Sequence, residues 1–173
     1  DRIDRLREQM GLNDPLPIRY VRFIGNALKG DLGESYVFQG KPVTSLIGPR
    51  LLVSLQLNIA AAVVALTIGL PLGFYAARKQ GTSTDPAIVI TMLIFYAMPV
   101  FFTAPFLILF FAVKLHWVPA AGWDGLFSTQ IILPALTIGI PGAAVFVRHM
   151  RASTLEVIGQ EYIRTARAKG MSN

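Results

Sequence analysis

The chain contains no cysteine, so disulfide staples and thiolate metal sites are excluded. Formal charge is scarce: 15% of the 173 residues are Asp, Glu, Lys or Arg, against 53% hydrophobic. The windows 51–77, 86–113 and 125–147 hold no Asp, Glu, Lys, Arg or His at all. Ionisable groups at membrane depth mark proton relays and ion pathways, so their absence argues against ion coupling within this part of the chain. The two histidines, His116 and His149, stand at the edges of apolar runs with no second ligand at helical spacing, which favours interfacial polar residues over a metal or haem site. No GxxxxGK[ST] loop is present, so any ATP site belongs to another chain. His149, Ser153 and Glu156 can be grouped only on paper as a hydrolytic set, because no nucleophile elbow or oxyanion turn accompanies them.

What remains is dominated by three apolar runs, each longer than the ~20 residues that cross a bilayer core. Mean hydropathy is +0.53. The composition predicts an all-α integral membrane protein. The net charge of +6 does not point to nucleic acid, because the cations are dispersed along membrane flanks and mixed with acids. The chain begins at Asp1 and stops soon after a basic segment, which raises the expectation of further sequence at both ends.

Residues 1–50 form an external amphipathic segment, with eight Lys/Arg against six Asp/Glu. Asp1–Met10 predicts a short charged helix stopped by Gly11, and 13–17 predicts a turn, since Pro15 and Pro17 remove donors and fix φ. Between Ile18 and Leu28 the apolar positions follow a helical period that suits a helix lying on a membrane or on its own protein. Gly30-Asp31-Leu32-Gly33 predicts another turn.

A first transmembrane helix is expected over 51–77, with Gly69 and Gly73 at GxxxG spacing around Pro71. A loop, 78–85, leads to a second over 86–113, where Pro99 and Pro105 predict a kink. The connection 114–124 carries His116, Trp117 and Trp123, a composition typical of the interface. A third helix is expected over 125–147, with Ala135, Gly139 and Ala143 as a small-residue stripe. Loop 78–85 has two Lys/Arg, 114–124 has one and the stretch after Val147 has five. Positive-inside counting therefore places 78–85 and 148–173 in the cytoplasm, and 1–50 and 114–124 outside.

The last segment has the grammar of a short docking helix. Glu161 opens it, Arg164, Arg167 and Lys169 fall toward its end as a helix dipole favours, and Gly170 stands at the terminating position. Tyr162, Ile163 and Ala166 share a face. Within the spans, Gln56, Asn58, Thr91, Tyr96 and Thr137 are polar residues that either line a substrate path or bond helix to helix.

The sequence resembles the membrane-spanning permease subunits of bacterial ABC importers in the dipeptide, oligopeptide and nickel group. The resemblance lies in 14–17 with Tyr20, in 30–33 with Ser35, in Gly69-Leu70-Pro71-Leu72-Gly73, in Leu133-Pro134-Ala135-Leu136-Thr137, and in 148–170. Gln160 to Gly170 is similar to the start of the importers' EAA loop, with Arg164-Thr165-Ala166 where the general motif has Glu-Ala-Ala. The resemblance implies a permease-like helical bundle with three transmembrane helices visible of six. It also implies that Glu161, Tyr162, Ile163, Arg164, Thr165, Ala166, Arg167, Ala168, Lys169 and Gly170 dock to an ATPase. The implied partners are a second permease subunit, two ATPase subunits that hold ATP and Mg, an external solute-binding protein and membrane lipid. The chain itself would be neither an enzyme nor a cofactor carrier. It would sit in the bacterial plasma membrane and translocate peptides or a similar small solute by alternating access. A secondary transporter or channel subunit without ATPase partners is the competing expectation.

Overall fold

The computed structural model describes residues 14–35, 37–38 and 40–170. The helix expected over Asp1–Met10 lies outside the described residues. The chain divides into two units, one ending at Val53 and the other beginning at Ser54.

In the first unit, α1 (Leu16–Ala27) starts behind Pro15, with Pro17 in its first turn, where a missing N–H is harmless. Its apolar side chains are exposed, Tyr20 and Val21 at 67% and 69%. Gly30 and Gly33 take φ of +84° and +76°, and the Gly33 amide donates to Asp31 Oδ1 at 2.9 Å, which closes the 30–33 turn. Arg22 pairs with Asp14 at 2.6 Å.

The longest helix, α2 (Val43–Arg78), starts eight residues before the apolar run at 51, and the polar first turns continue the same backbone ladder. After the turn at Gly81 (φ +82°), α3 (Thr84–Ala97) begins. The chain then breaks at Met98, which takes ψ 124°, because the ring of Pro99 excludes the helical conformation from the residue before it. α4 (Val100–Leu107) restarts behind Pro99 and passes into a π-helix over Ile108–Lys114. The run 86–113 is thus a pair of helices bent by 98° rather than one kinked rod. Residues 125–128 are not helical. A 3-10 turn (Thr129–Ile131) leads instead into α5 (Ile132–Ile158), which runs eleven residues past Val147 without interruption. Two residues, Gly159 and Gln160, separate it from α6 (Glu161–Ala168).

Two of these helical stretches, Val43–Arg78 and Thr129–Ile158, are long and apolar enough to cross a membrane, and the bent pair makes a third if it is one span. The expected all-α fold is therefore present, with no strand among the described residues, only an isolated bridge between Glu34 and Pro42.

The core of the second unit is a seam of small residues. Ala61, Ala65, Gly69, Gly73, Ala76 and Ala77 of α2 are buried, as are Ala135, Gly139, Ala143, Ala144 and Val147 of α5. The two stripes meet: a methyl added at Gly69 would lie 2.6 Å from Phe146 Cβ, and one at Gly139 would lie 2.7 Å from Val64 Cβ. Without a hydrophobic force between helices in lipid, such close backbone approach is how van der Waals packing holds them. Ile88 and Met92 of α3 close the cluster around Ala144 and Val147.

Candidate functional site

Three features in the second unit carry chemistry or mechanics: a cleft beside the bent pair, a charged pair at the start of α3, and the terminal helix α6.

The cleft has a volume of about 260 Å³ and lies between α4, the loop Pro119–Gly122 and the start of α5. Val100, Ala104 and Ile108 form one wall, and Leu133, Pro134 and Thr137 the other. The break at Met98 opens it, since a straight helix through 99–108 would keep these residues in line with α3. Gln130 supplies its amide: Nε2 donates to Asp124 Oδ2 at 2.8 Å, while Oε1 is buried with no hydrogen-bond partner among the described residues. A carboxylate accepts only, so Asp124 fixes which end of the amide faces it.

The five polar span residues do not share one location. Thr137 is buried and lines the cleft, with its hydroxyl donating to the Leu133 carbonyl at 2.7 Å. Gln56 is half-buried, and exposed Asn58 donates from its side chain to the Ser54 carbonyl at 2.8 Å. Thr91 is exposed, and so is Tyr96, over whose ring Arg148 stands at 5.7 Å. That distance is within the range of a cation–π contact.

The charged pair escaped the sequence reading. Arg151 donates through Nε to Asp85 Oδ1 and through Nη2 to Asp85 Oδ2, both at 2.6 Å. Asp85 is 6% exposed and the partners are 66 residues apart. One signal is available in the sequence: Asp85 and Asp124 are the only acids between Glu34 and Glu156, so Arg151, half-buried just past the third apolar run, has few possible mates.

α6 has Glu161 in its first turn, where the N-terminal end of the helix dipole favours an acid. Tyr162 is 57% exposed and Ile163 half-buried. The Thr165 hydroxyl donates to the Glu161 carbonyl at 3.0 Å, and Ala168 and Lys169 are exposed. The side chains of Arg164, Ala166 and Arg167 lie outside the described set. Gly170 takes φ +87°, the left-handed conformation of a residue that ends a helix. No group of three metal-ligating side chains occurs among the described residues.

Residues 69–173, from the first tight glycine of the α2–α5 seam through α6, match the family described as the binding-protein-dependent transport system inner membrane component. The chain belongs to this family. It is a multi-pass protein of the bacterial inner membrane, and its kin are permease subunits. A probable peptide ABC transporter permease protein, y4tP, of Sinorhizobium fredii is 36% identical to it, over 98% of this chain and 56% of that protein. The oligopeptide transport system permease protein AppB of Bacillus subtilis is 37% identical over 94% of the chain and 54% of its own length. OppB of Haemophilus influenzae, of the same description, is 37% identical over 93% and 53%. The chain spans about half the length of these curated relatives.

Proposed function

We propose that the chain is the membrane-spanning part of a permease subunit in an ATP-driven importer of peptides or similar small solutes. The observation that carries this reading is the form of α6, a separate short helix with an acid at its start and a left-handed glycine after its end. It is joined by only two residues to the 27-residue helix α5. Such a helix is a handle. A partner that grips it moves α5, and α5 carries one side of the tight seam with α2.

In this reading residues 1–50 and 114–124 face outward, and 78–85 and 148–173 face the cytoplasm. Two ATPase subunits bind ATP and Mg, a second permease subunit completes the pathway, and an external binding protein delivers the solute. The relatives named above, peptide and oligopeptide permeases, support peptide cargo. Hydrolysis and transport are tied by a difference in docking energy of α6 between two states of the spans. Glu161, Tyr162, Ile163, Arg164, Thr165, Ala166, Arg167, Ala168, Lys169 and Gly170 form the docking element. Thr137, at the cleft, is the best placed of the span residues to meet solute, ahead of Gln56, Asn58, Thr91 and Tyr96.

Reconstitution of the full-length protein with its co-purifying subunits in proteoliposomes tests the reading. Labelled oligopeptide should accumulate only with ATP and the external binding protein. Accumulation driven by an ion gradient without ATP would make the protein a secondary transporter instead.

A further inference from the structure

Asp85 and Arg151 occupy one end of a continuous interface. On α3, Asp85, Ile88 and Met92 fall at intervals of three and four, one face of a helix. Ile88 and Met92 pack against the buried cluster of Ala143, Ala144 and Val147 on α5, and Arg151 follows Val147 by one turn. The bidentate bond is therefore the last rung of the α3–α5 seam.

Its position is mechanical. Toward the C-terminus, α5 continues unbroken from Arg151 to Ile158 and reaches α6 after Gly159 and Gln160. In the other direction, α3 runs from Asp85 to the break at Met98, beyond which α4 forms a wall of the cleft. Apolar packing at Ile88 and Met92 resists separation of the helices but has little directional preference. A guanidinium fork on a carboxylate fixes distance and orientation together. Breaking it strands the buried Asp85 carboxylate, whereas Arg151, partly exposed, can still reach water.

We propose that Asp85 and Arg151 are a positioning pair that locks α3 to the stem of α5, so that displacement of α6 reaches the wall of the cleft through the bend at Met98. This rests on the importer reading above. The pair touches no solute; it acts through the helices it joins.

The test uses the full-length protein in its assembled complex. Because this chain has no cysteine, spin labels at Phe101→Cys on α4 and Glu156→Cys on the α5 stem report the distance between the joined parts, once any cysteines elsewhere in the complex are replaced. With the pair intact, the 101–156 distance should stay the same in the nucleotide-free and ATP-bound states, since both labels move as one body. In Asp85→Asn the same distance should become nucleotide-dependent. The solute moved per ATP hydrolysed should fall about tenfold, within the roughly 5- to 150-fold span of ordinary coupling energies. Hydrolysis and ATPase binding should persist. Arg151→Lys, which keeps the charge but loses the fork, should behave as a partial version, and the exchange Asp85→Arg with Arg151→Asp should restore part of the yield per ATP.

If Asp85→Asn lowers only the amount of folded complex, with an unchanged 101–156 distance and unchanged solute per ATP, the pair is merely structural and the proposal is overturned. Absence of ATPase subunits from the wild-type preparation would instead overturn the importer reading, and the proposal with it.

Discussion

Gly73 faces the backbone of Val147 so closely that a methyl group at position 73 would lie 2.6 Å from the Val147 carbonyl oxygen and 2.8 Å from Met150 Cβ. Neither neighbour can yield cheaply, because the first is helical backbone and the second is the root of a side chain. The contact places α2 against the half of α5 that leads to α6, so the integrity of this seam decides whether α5 moves as a unit with the spans.

Gly73→Ala should therefore destabilise the folded protein by about 1–3 kcal/mol, the usual penalty for overpacking. Gly69→Ala should do the same, with its methyl 2.9 Å from the Ala143 carbonyl. Gly142→Ala is the control. Among the described residues it meets nothing closer than Ala65 Cβ at 3.4 Å and should be nearly neutral. Thermal unfolding of the three variants in detergent ranks them.

The bend at Met98 depends on Pro99. In Pro99→Ala the steric bar on a helical Met98 disappears and the amide of residue 99 regains a donor. The two helices should straighten from their 98° bend, lengthening the distance between labels at Thr91→Cys and Phe106→Cys and closing the cleft. An unchanged distance would mean that packing against α5, not proline, sets the angle.

His116, one residue beyond the Leu115 cap of the π-helix, takes φ +53°, a conformation that costs an ordinary L-residue roughly 1–2 kcal/mol. His116→Gly should raise stability by about 0.5–1 kcal/mol after the greater freedom of glycine in the unfolded chain is counted. His116→Val should lower it, since β-branched side chains tolerate positive φ worst. Equal stability of the two variants would show that the turn relaxes to negative φ.

The apolar runs made the spans legible, and the glycines and alanines marked both halves of the seam. Which stripe meets which was not legible, because small residues at a spacing of four look alike on every helix. Pro99 announced an interruption but not its size, since the 98° angle also depends on how α4 packs against α5. Hydropathy placed the end of the third run at Val147, whereas the helix continues to Ile158. Arg148, His149 and Arg151 mark where the apolar run stops, not where the backbone ladder stops, and no Gly or Pro follows until Gly159. The Asp85–Arg151 pair stayed hidden for a related reason. Charges at span edges speak to orientation in the sequence, and a long-range bond between two of them leaves no periodicity in the chain. The terminal helix was the easiest element to read, since Glu161 and Gly170 punctuate both of its ends.

The most direct measurement is co-purification of ATPase subunits with the full-length protein in mild detergent, comparing wild type with Glu161→Lys and Gly170→Pro. Lysine at 161 sets a cation against the positive end of the α6 dipole, and proline at 170 cannot adopt φ +87°. The account predicts that both variants insert in the membrane at normal levels but lose most of the bound ATPase and most of the ATP-driven uptake. Full retention of ATPase and of transport by both variants would contradict it.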